Sequence, residues 1–333
     1  MFKGKKVLVA GGTGMVGIPL VRMLLEQGAH VRIASLDDAS RANPKAEFKR
    51  TDLRSFDNCL DACRGMDAVF NLLCVKGSPA VTKTRPASFF VPMITFNTNL
   101  MEAARQAGVK RYLFTSTVGV YSPAEVFHED DVWKTFPSEN DWFAGWAKRM
   151  GELQAQAYQI EYGWKDITIV RPANVYGPYD NFDSVNATVM ASLIKRAVSG
   201  EDPFVVWGDG SAERDFIHAE DVARGMLLAV EKGGGQILNL GSGAGTSIRR
   251  LVEIITGQMD PRPKVVWDTS KPSGDRKRVM DVSRAKAIGF KPAVTIEEGV
   301  KDLMKWYREN RDRTGKRYDI FNDPGGKAVP AAG

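Results

Sequence analysis

The chain has 333 residues, of which 43% are hydrophobic and 26% are charged. This length suits a main domain of about 150 to 200 residues with a smaller addition, and the composition excludes a disordered, fibrous or disulfide-stapled protein. The 46 Lys and Arg exceed the 40 Asp and Glu by six. Because these charges are interspersed, a mildly basic surface is favoured over nucleic-acid binding.

The cysteines and histidines do not predict a metal site. Cys59, Cys63 and Cys74 are an odd number in a long chain, and the three histidines are scattered, so no zinc spacing is recognisable. A reducing, cytoplasmic compartment is therefore expected. The apolar runs fall well short of the ~18 residues that a membrane span requires, so a membrane is not expected as a partner.

Short apolar runs alternate with amphipathic stretches in the first part of the chain. The predicted strands are 7–10, 30–34, 67–73 and 111–115, and the predicted helices are 15–27, 55–64 and 88–107. This alternation is typical of a parallel sheet with helices on both faces. The predicted fold class is therefore α/β, with a doubly wound parallel sheet of the Rossmann type.

The second half of the chain predicts a smaller lobe added to this sheet. Further helices are predicted at 141–161, 186–198 and 219–230, and further strands at 167–170, 204–207 and 236–240. We expect a dinucleotide-binding domain over 1–173, to which 218–243 returns, and a substrate-binding lobe over 174–310. Residues 311–333 carry Gly, Pro and charge without an apolar period, which predicts a tail.

A glycine-rich turn follows the first predicted strand and opens the first helix. Its residues are Gly11, Gly12, Thr13, Gly14, Met15, Val16 and Gly17. Glycine is required where the backbone turns with positive φ, approaches a pyrophosphate or packs a helix closely on a strand. The unpaired N–H groups of the helix N-terminus would face the phosphates. The turn therefore predicts a dinucleotide site.

The acidic residues Asp37 and Asp38 stand about 20 residues after the glycines, where a carboxylate usually holds the ribose 2′-hydroxyl of NAD. Ser35, at the strand end, would also suit a 2′-phosphate, and the nearest later basic residue is Arg41. NAD is therefore favoured and NADP stays open. Alternatively, the two aspartates form only a solvated turn. Asp52 is predicted to contact the adenine end, or to be an exposed loop residue.

Four segments together resemble one family. They are 11–17, Phe114-Thr-Ser-Thr-Val-Gly-Val-Tyr121, Arg171-Pro-Ala-Asn-Val-Tyr-Gly-Pro178 and Arg214-Asp-Phe-Ile-His-Ala-Glu-Asp221. From Val7 to about Asn310 the chain resembles the extended short-chain dehydrogenase/reductase family, in its NAD-dependent epimerase/dehydratase group. That resemblance implies a nucleotide-sugar substrate, and residues 176–182 and 205–208 are most similar to GDP-fucose synthases. Leu53, Leu73 and Val175 complete the cofactor contacts that we expect.

The resemblance implies a catalytic Ser/Thr, Tyr and Lys set, but one member is missing. Thr117 matches the hydroxyl residue and Lys148 matches the lysine, which would also hold the nicotinamide ribose. The tyrosine belongs four residues before the lysine, on the same helix face, and Ala144 stands there. Alanine has no proton to exchange. The alanine is an engineered substitution or a natural variant, or else another tyrosine (Tyr121, Tyr176 or Tyr179) reaches the site.

Other departures from the family pattern narrow the reaction. Val118 and Gly119 follow Thr117 where dehydratases and decarboxylases of the family carry an acidic residue. Gly119 and Thr188 stand where the 3,5-epimerising reductases have a cysteine and a histidine, so a true GDP-fucose synthase is disfavoured. A 4-epimerase or a keto-sugar reductase remains, with hydride transfer at sugar C4. The alternative is a non-catalytic sensor or scaffold that binds the same ligands.

The predicted substrate contacts are mostly implied by the resemblance. Arginine suits a diphosphate because its planar fork matches phosphate geometry. The expected contacts are Lys76, Thr117, Asn174, Asn186, Arg196, Trp207, Arg214 and Arg278, and a GDP-sugar is favoured. The competing interpretations are surface ion pairs for the arginines, a turn for Asn174 and packing for Lys76. Cys74, near Lys76 at the end of a predicted strand, is expected either to contact a ligand or to pack in the fold.

Several other residues are expected to have structural roles. Cys59 and Cys63 share the face of a helix that would be buried, and His218 is expected to be a hydrogen-bonded structural residue rather than a base. The aromatic residues at 133, 136, 142, 143 and 146 either line a pocket near the site or fill the core, and core filling is favoured. The helices at 88–107 and 141–161 resemble those that form a homodimer seam in this family, although packing within one chain would explain their apolar positions equally well.

Overall fold

The structure, a computed structural model, describes residues 1–75, 79–182, 187–271, 274–313 and 317–321. In these ranges the strands are β1 Lys6–Ala10, β2 His30–Ser35, β3 Glu47–Arg50, β4 Ala68–Asn71, β5 Arg111–Thr115, β6 Ile167–Pro172, β7 Asn174–Tyr176, β8 Phe204–Trp207, β9 Glu213–Arg214, β10 Phe216–His218, β11 Ile237–Leu240, β12 Thr246–Ser247, β13 Val265–Asp268 and β14 Lys277–Arg278. The α-helices are α1 Gly17–Glu26, α2 Phe56–Cys63, α3 Pro79–Thr84, α4 Pro86–Gln106, α5 Trp142–Glu161, α6 Val189–Val198, α7 Ala219–Lys232, α8 Ile248–Thr256, α9 Ser283–Ala287 and α10 Ile296–Asn310.

Seven strands form one parallel sheet in the order β11-β6-β5-β4-β1-β2-β3. The chain begins in the middle of the sheet, extends to one edge through β2 and β3, and then returns to build the other half. This order confirms the predicted doubly wound α/β class. The predictions omitted β3, because a half-buried edge strand with the sequence Glu-Phe-Lys-Arg lacks an apolar run.

Helices cover both faces of the sheet because successive strand residues point to opposite sides. Val7 and Val9 of β1 pack in one buried cluster with Leu20 of α1 and Met226 of α7. Leu8, between the two valines, belongs to a second cluster with α2, α4 and α5. A third cluster lies in the smaller lobe, where α6, α8 and α10 pack with β8 and β13. No helix in the described ranges is both long enough and apolar enough to cross a membrane.

Helix α5 buries an unusual face. Gly145, Lys148, Glu152 and Ala155 are buried, whereas its large apolar residues are turned outward. Trp142, Phe143, Leu153 and Ile160 are exposed, as are Trp133 and Phe136 in the preceding segment. The expectation that these aromatic residues fill the core is therefore wrong for residues 133, 136, 142 and 143. The rings of Phe136, Trp142 and Trp146 contact one another, and the Phe143 ring contacts Phe90 of α4.

A buried ion pair explains the polar side of α5. Arg171, at the end of β6, donates to both carboxylate oxygens of Glu152, at 2.9 and 2.7 Å. The Ser116 hydroxyl also donates to Glu152, at 2.5 Å, and Arg171 donates to the Tyr121 hydroxyl at 2.9 Å. Burial alone would lower the pKa of Arg171, but the Glu152 carboxylate outweighs burial and raises it. The pair thus joins β6, α5 and the segment that follows β5.

The residues near the C-terminus differ from the predicted tail. Residues 317–321 lie against the half of the chain that carries α2 and α4, and Phe321 is buried in the same cluster as these helices. The sequence shows no apolar period here because only two neighbouring residues, Ile320 and Phe321, pack against the core. We call residues 317–321 the C-terminal segment.

Glu152→Gln is expected to lower the free energy of unfolding by about 3 kcal/mol, because Arg171 would keep its charge without a carboxylate in a buried position. Urea unfolding measures this loss. Glu47→Gln is the matched control, since Glu47 pairs with Arg32 at 2.9 Å on the surface, and it should change stability by less than about 0.5 kcal/mol. Equal effects for the two variants would contradict the structural role of the buried pair.

Candidate functional site

The glycine-rich turn joins β1 to α1 as a compact loop. Gly11 has φ of 81°, a conformation that favours glycine. A Cβ on Gly17 would lie 2.6 Å from Gly12 Cα and would also meet the Gly11 carbonyl oxygen. Helix and loop are therefore too close for any side chain at 17. Met15 is buried and Val16 packs against the core. The N-terminus of α1 is therefore lined by the backbone of this loop rather than by these two side chains.

The end of β2 supplies a hydroxyl and carboxylate cluster beside this loop. Thr13 donates to Asp37 Oδ2 at 2.7 Å, and its oxygen lies 2.8 Å from the Ser35 hydroxyl. Arg41 donates to the Thr13 carbonyl at 3.3 Å, and its Nε lies 3.7 Å from Asp37. Asp37 is thus a buried residue of the loop cluster rather than part of a solvated turn. The structure also brings Arg41 to this position. From the sequence, Arg41 was noted only as the nearest basic residue after Ser35.

The predicted adenine contacts lie after β3. Asp52 holds the Arg54 side chain, with Nη2 to Oδ2 at 2.6 Å. Burial would raise the pKa of Asp52, but its hydrogen bonds to Arg54 lower it overall. Leu53 is buried in the cluster on the α2 and α4 side of the sheet.

Lys148 lies at the carboxyl ends of β4 and β5, and Thr117 follows β5 by two residues. Lys148 Nζ donates to the carbonyl oxygens of Leu73, at 2.9 Å, and Thr115, at 2.7 Å. Burial lowers the pKa of Lys148, while the nearby Cys74 and Glu152 oppose that shift. Thr117 Oγ1 accepts from the Gly119 amide at 3.2 Å. Lys148 is therefore fixed between the segments that follow β4 and β5, two residues from Thr117 along the chain at its Thr115 contact, and β4 pairs with the strand that leads to the glycine loop.

Ala144 lies on α5 one turn before Lys148 and is partly buried. The alternative tyrosines have other partners. Tyr121 donates to Asn239 at 2.6 Å, and burial raises the pKa of Tyr121 to about 12. Tyr176 donates to the Thr295 carbonyl at 3.4 Å, and the Tyr179 ring packs on Trp306 of α10. None of these contacts brings a phenol to Lys148.

Asp141, just before α5, is a residue that sequence reasoning missed. A Cβ on Gly119 would lie 3.0 Å from Asp141 Cβ and 3.2 Å from its carboxyl carbon. A cysteine at 119 would therefore meet Asp141, which gives a physical reason for the glycine. Thr188, the other departure from the reductase pattern, caps α6 and donates to Asp180 at 3.2 Å. Asp141 stands three residues before Ala144, about one helical turn, and this spacing could have placed Asp141 near position 144 from the sequence.

Two of the predicted substrate arginines come together beside Asp141. Arg278 pairs with Asp141 at 2.5 Å and also with Asp275, and Asp275 accepts from Asn140 at 2.6 Å. Arg214 lies on β9, whose neighbour β14 carries Arg278. Burial, followed by repulsion from Arg278, lowers the pKa of Arg214 to about 10. This cluster is rich in guanidinium groups and lies next to the start of α5.

The remaining predicted contacts are more dispersed. Asn174 donates to the Asp215 carbonyl at 3.1 Å, and Val175 follows it on β7, partly buried against the core. Arg196 is held by Glu201 and lies over the Phe204 ring within its own lobe. Trp207 is largely exposed at the end of β8. Lys76 and Asn186 fall outside the described residues.

The residues expected to be structural are placed accordingly. Cys59 and Cys63 are buried on α2, and burial raises the pKa of the Cys63 thiol to about 12. His218 caps α7 by accepting from the Glu220 amide at 3.3 Å, and burial lowers its pKa. Within the described ranges, no three His, Cys, Asp or Glu side chains are grouped so that they could hold a metal.

Comparison with known proteins identifies the family of the chain. Residues 7–241 match the model of the NAD-dependent epimerase/dehydratase family. A protein described as a probable GDP-L-fucose synthase 1, from Oryza sativa subsp. japonica, is 32% identical over 320 residues, which are 92% of this chain and 93% of that protein.

Solved structures with the same fold carry the expected ligands. A Thermotoga maritima UDP-glucose 4-epimerase with UDP-glucose has a TM-score of 0.82 at 29% identity, covering 92% of this chain and 99% of that one. A Thermus thermophilus UDP-glucose 4-epimerase complexed with NAD has a TM-score of 0.79 at 26% identity, covering 91% and 99%. The family predicted from the four sequence segments is confirmed: this chain belongs to the NAD-dependent epimerase/dehydratase family.

Proposed function

We propose that the chain binds NAD, or NADP, together with a nucleotide sugar and acts as a 4-epimerase or keto-sugar reductase. The observation that carries this proposal is the position of Lys148, fixed by the Leu73 and Thr115 carbonyls next to Thr117. When bound, the nicotinamide would supply or accept the hydride exchanged at sugar C4. The glycine loop, with its close Gly17 approach and the buried Arg41 beside it, fits the phosphates of such a dinucleotide.

The chain's own residues have distinct tasks. An ammonium group has three donors, and Lys148 uses two on backbone carbonyls, which leaves the third for a ribose hydroxyl. Thr117 accepts from the Gly119 amide, so its O–H proton is directed to the sugar oxygen. Arg214 would bind the substrate diphosphate through its planar fork, next to Arg278, which Asp141 and Asp275 hold in place.

The substrate is proposed to be a GDP-sugar, supported by the relatives described as GDP-L-fucose synthases. Epimerisation at two carbons is not part of the proposal, because Gly119 and Thr188 offer no acid or base. Arg41 beside Asp37 suits a phosphate on the ribose, whereas Asp37 suits a free hydroxyl, so the choice of NAD or NADP is open to direct measurement.

A second candidate is a non-catalytic binding protein that senses or carries the same ligands. The observation in its favour is Ala144, which cannot exchange a proton, together with the engagement of Tyr121 and Tyr176 elsewhere. Both candidate functions predict that the chain binds these ligands, but only the enzyme predicts turnover.

Ala144→Tyr is expected to raise turnover of a GDP-keto-sugar or GDP-hexose by about 100-fold or more, since a positioned acid–base group contributes about 10² to 10⁴. Steady-state assays with NADH and NADPH measure this change. Ala144→Phe is the matched control, because it adds the ring without the hydroxyl and should give no gain. Ligand binding by calorimetry without turnover in any variant would favour the binding protein.

We also propose a cytoplasmic homodimer. The support is the stripe of exposed apolar residues on α5, in which Leu153 and Ile160 stand seven residues apart on one helix face, with Val91 exposed on the adjacent α4. Apolar surface of this kind is normally covered by a partner.

The double substitution Leu153→Glu/Ile160→Glu is expected to convert the dimer into a monomer, because charges would have to be buried in the seam. Light scattering after size exclusion measures the mass. Val266→Glu, an exposed apolar position on β13, is the control and should leave the mass unchanged. A wild-type chain that is already monomeric would refute the dimer.

A further inference from the structure

The C-terminal segment is anchored beside the adenosine end of the predicted dinucleotide site. Phe321 is buried in the same cluster as Leu53. Arg85, just before α4, donates to the Phe321 carbonyl at 2.8 Å, and its guanidinium lies 5.1 Å from the centre of the Phe321 ring. A chain end that inserts an aromatic ring into the core occupies a defined position on the domain.

From this anchor the segment runs back across both predicted adenosine contacts. The Tyr318 amide donates to Asp37 Oδ1 at 2.8 Å. The Tyr318 side chain has a hydrogen bond with Arg54, which holds Asp52. The segment therefore touches the carboxylate expected at the ribose and the ion pair expected at the adenine.

The segment also carries a positive charge to the glycine loop. A Cβ on Gly14 would lie 3.9 Å from Arg317 Nη2, and Arg317 Nη1 donates to the Tyr179 carbonyl at 3.5 Å. Arg317 is thus close to the part of the loop where phosphates are expected.

Arg317 meets a second, buried arginine there. The Arg41 side chain is only 9% exposed, and its Nε has no hydrogen-bond partner among the described residues. Burial, followed by repulsion from Arg317, lowers the pKa of Arg41, and Asp37 only partly opposes this. Arg41 also lines a cavity of about 680 Å³ bounded by Gly12 and Tyr179. A buried guanidinium beside open space, with one N–H that makes no hydrogen bond to the described residues and a second guanidinium nearby, favours an anionic ligand.

We propose that the C-terminal segment completes the dinucleotide site, with Arg317 and Arg41 binding a phosphate of the cofactor and Tyr318 covering its adenosine end. This inference rests on the dinucleotide binding proposed above. The bound ligand leaves only when the segment undocks, so the segment controls the rate of release as well as affinity.

The charge of the segment argues for completion of the site rather than for inhibition. A segment that competes with a dinucleotide would place carboxylates against the backbone N–H groups of the loop, in imitation of phosphate. This segment places a guanidinium there, which attracts phosphate. A carboxylate oxygen has two lone pairs, so Asp37 Oδ1 remains able to accept a ribose hydroxyl while it holds the Tyr318 amide.

The test compares full-length protein with Arg317→Ala and with a chain that ends at residue 316. Both variants are expected to bind NADH and NADPH at least about 10-fold more weakly by calorimetry and to release them faster in stopped-flow experiments. Arg308→Ala, an exposed arginine on α10, is the matched control and should bind as the full-length protein does.

Hydrogen exchange provides a second measurement on the intact chain, independent of truncation. Addition of NADH or NADPH should increase protection of residues 317–321. Unchanged or tighter binding by Arg317→Ala, or loss of protection on ligand addition, would overturn the proposal. If the full-length protein binds neither dinucleotide, the proposed function itself fails. If it binds and Arg317→Ala binds equally well, only the role of the segment is wrong.

Discussion

The buried pair between Arg171 and Glu152 determines where the reacting groups lie. It fixes β6 against α5, and Ser116 ties the same carboxylate to the end of β5. Thr117 is the next residue after Ser116, and Lys148 lies one helical turn before Glu152 on the same buried face. Because a buried charge without its partner is costly, these elements cannot shift separately. The pair therefore fixes the elements that carry the Thr117 hydroxyl and the Lys148 amine, as the proposed hydride transfer would require.

Ala144 gives this framework no phenol one helical turn before Lys148. The space around Gly119 is occupied by Asp141, and the carboxylate of Asp141 is paired with Arg278. The site thus keeps its hydroxyl, its amine and its substrate arginines while it lacks a phenol at 144. A framework of this kind is suited to binding both ligands, and its rate of turnover depends on how the proton is supplied.

Both ligand regions contain arginines that repel each other in the free protein. Arg214 and Arg278 do so beside the start of α5, and Arg41 and Arg317 do so beside the glycine loop. Partial burial makes this repulsion stronger than it would be in water. Carboxylates offset part of it, since Asp141 and Asp275 pair with Arg278 and Asp37 lies 3.7 Å from Arg41. The proposed role of each pair in binding a phosphate depends on the positive charge that remains.

Local patterns in the sequence determined the parallel sheet and the glycine loop, because strand periodicity and short glycine spacings reflect contacts between near neighbours. Thr117 and Lys148 were identified through the resemblance to a family, and their catalytic roles are proposals. The exposed aromatic face of α5 escaped such reasoning, since a helix that buries Lys148 and Glu152 reverses the usual pattern. The edge strand β3, the contact of Asp141 with Gly119, and the approach of Arg41 and Arg317 were decided by tertiary structure alone. Each depends on residues brought together across folded elements, and the Tyr318 contact with Asp37 spans 281 positions, a separation over which sequence spacing carries no geometric information.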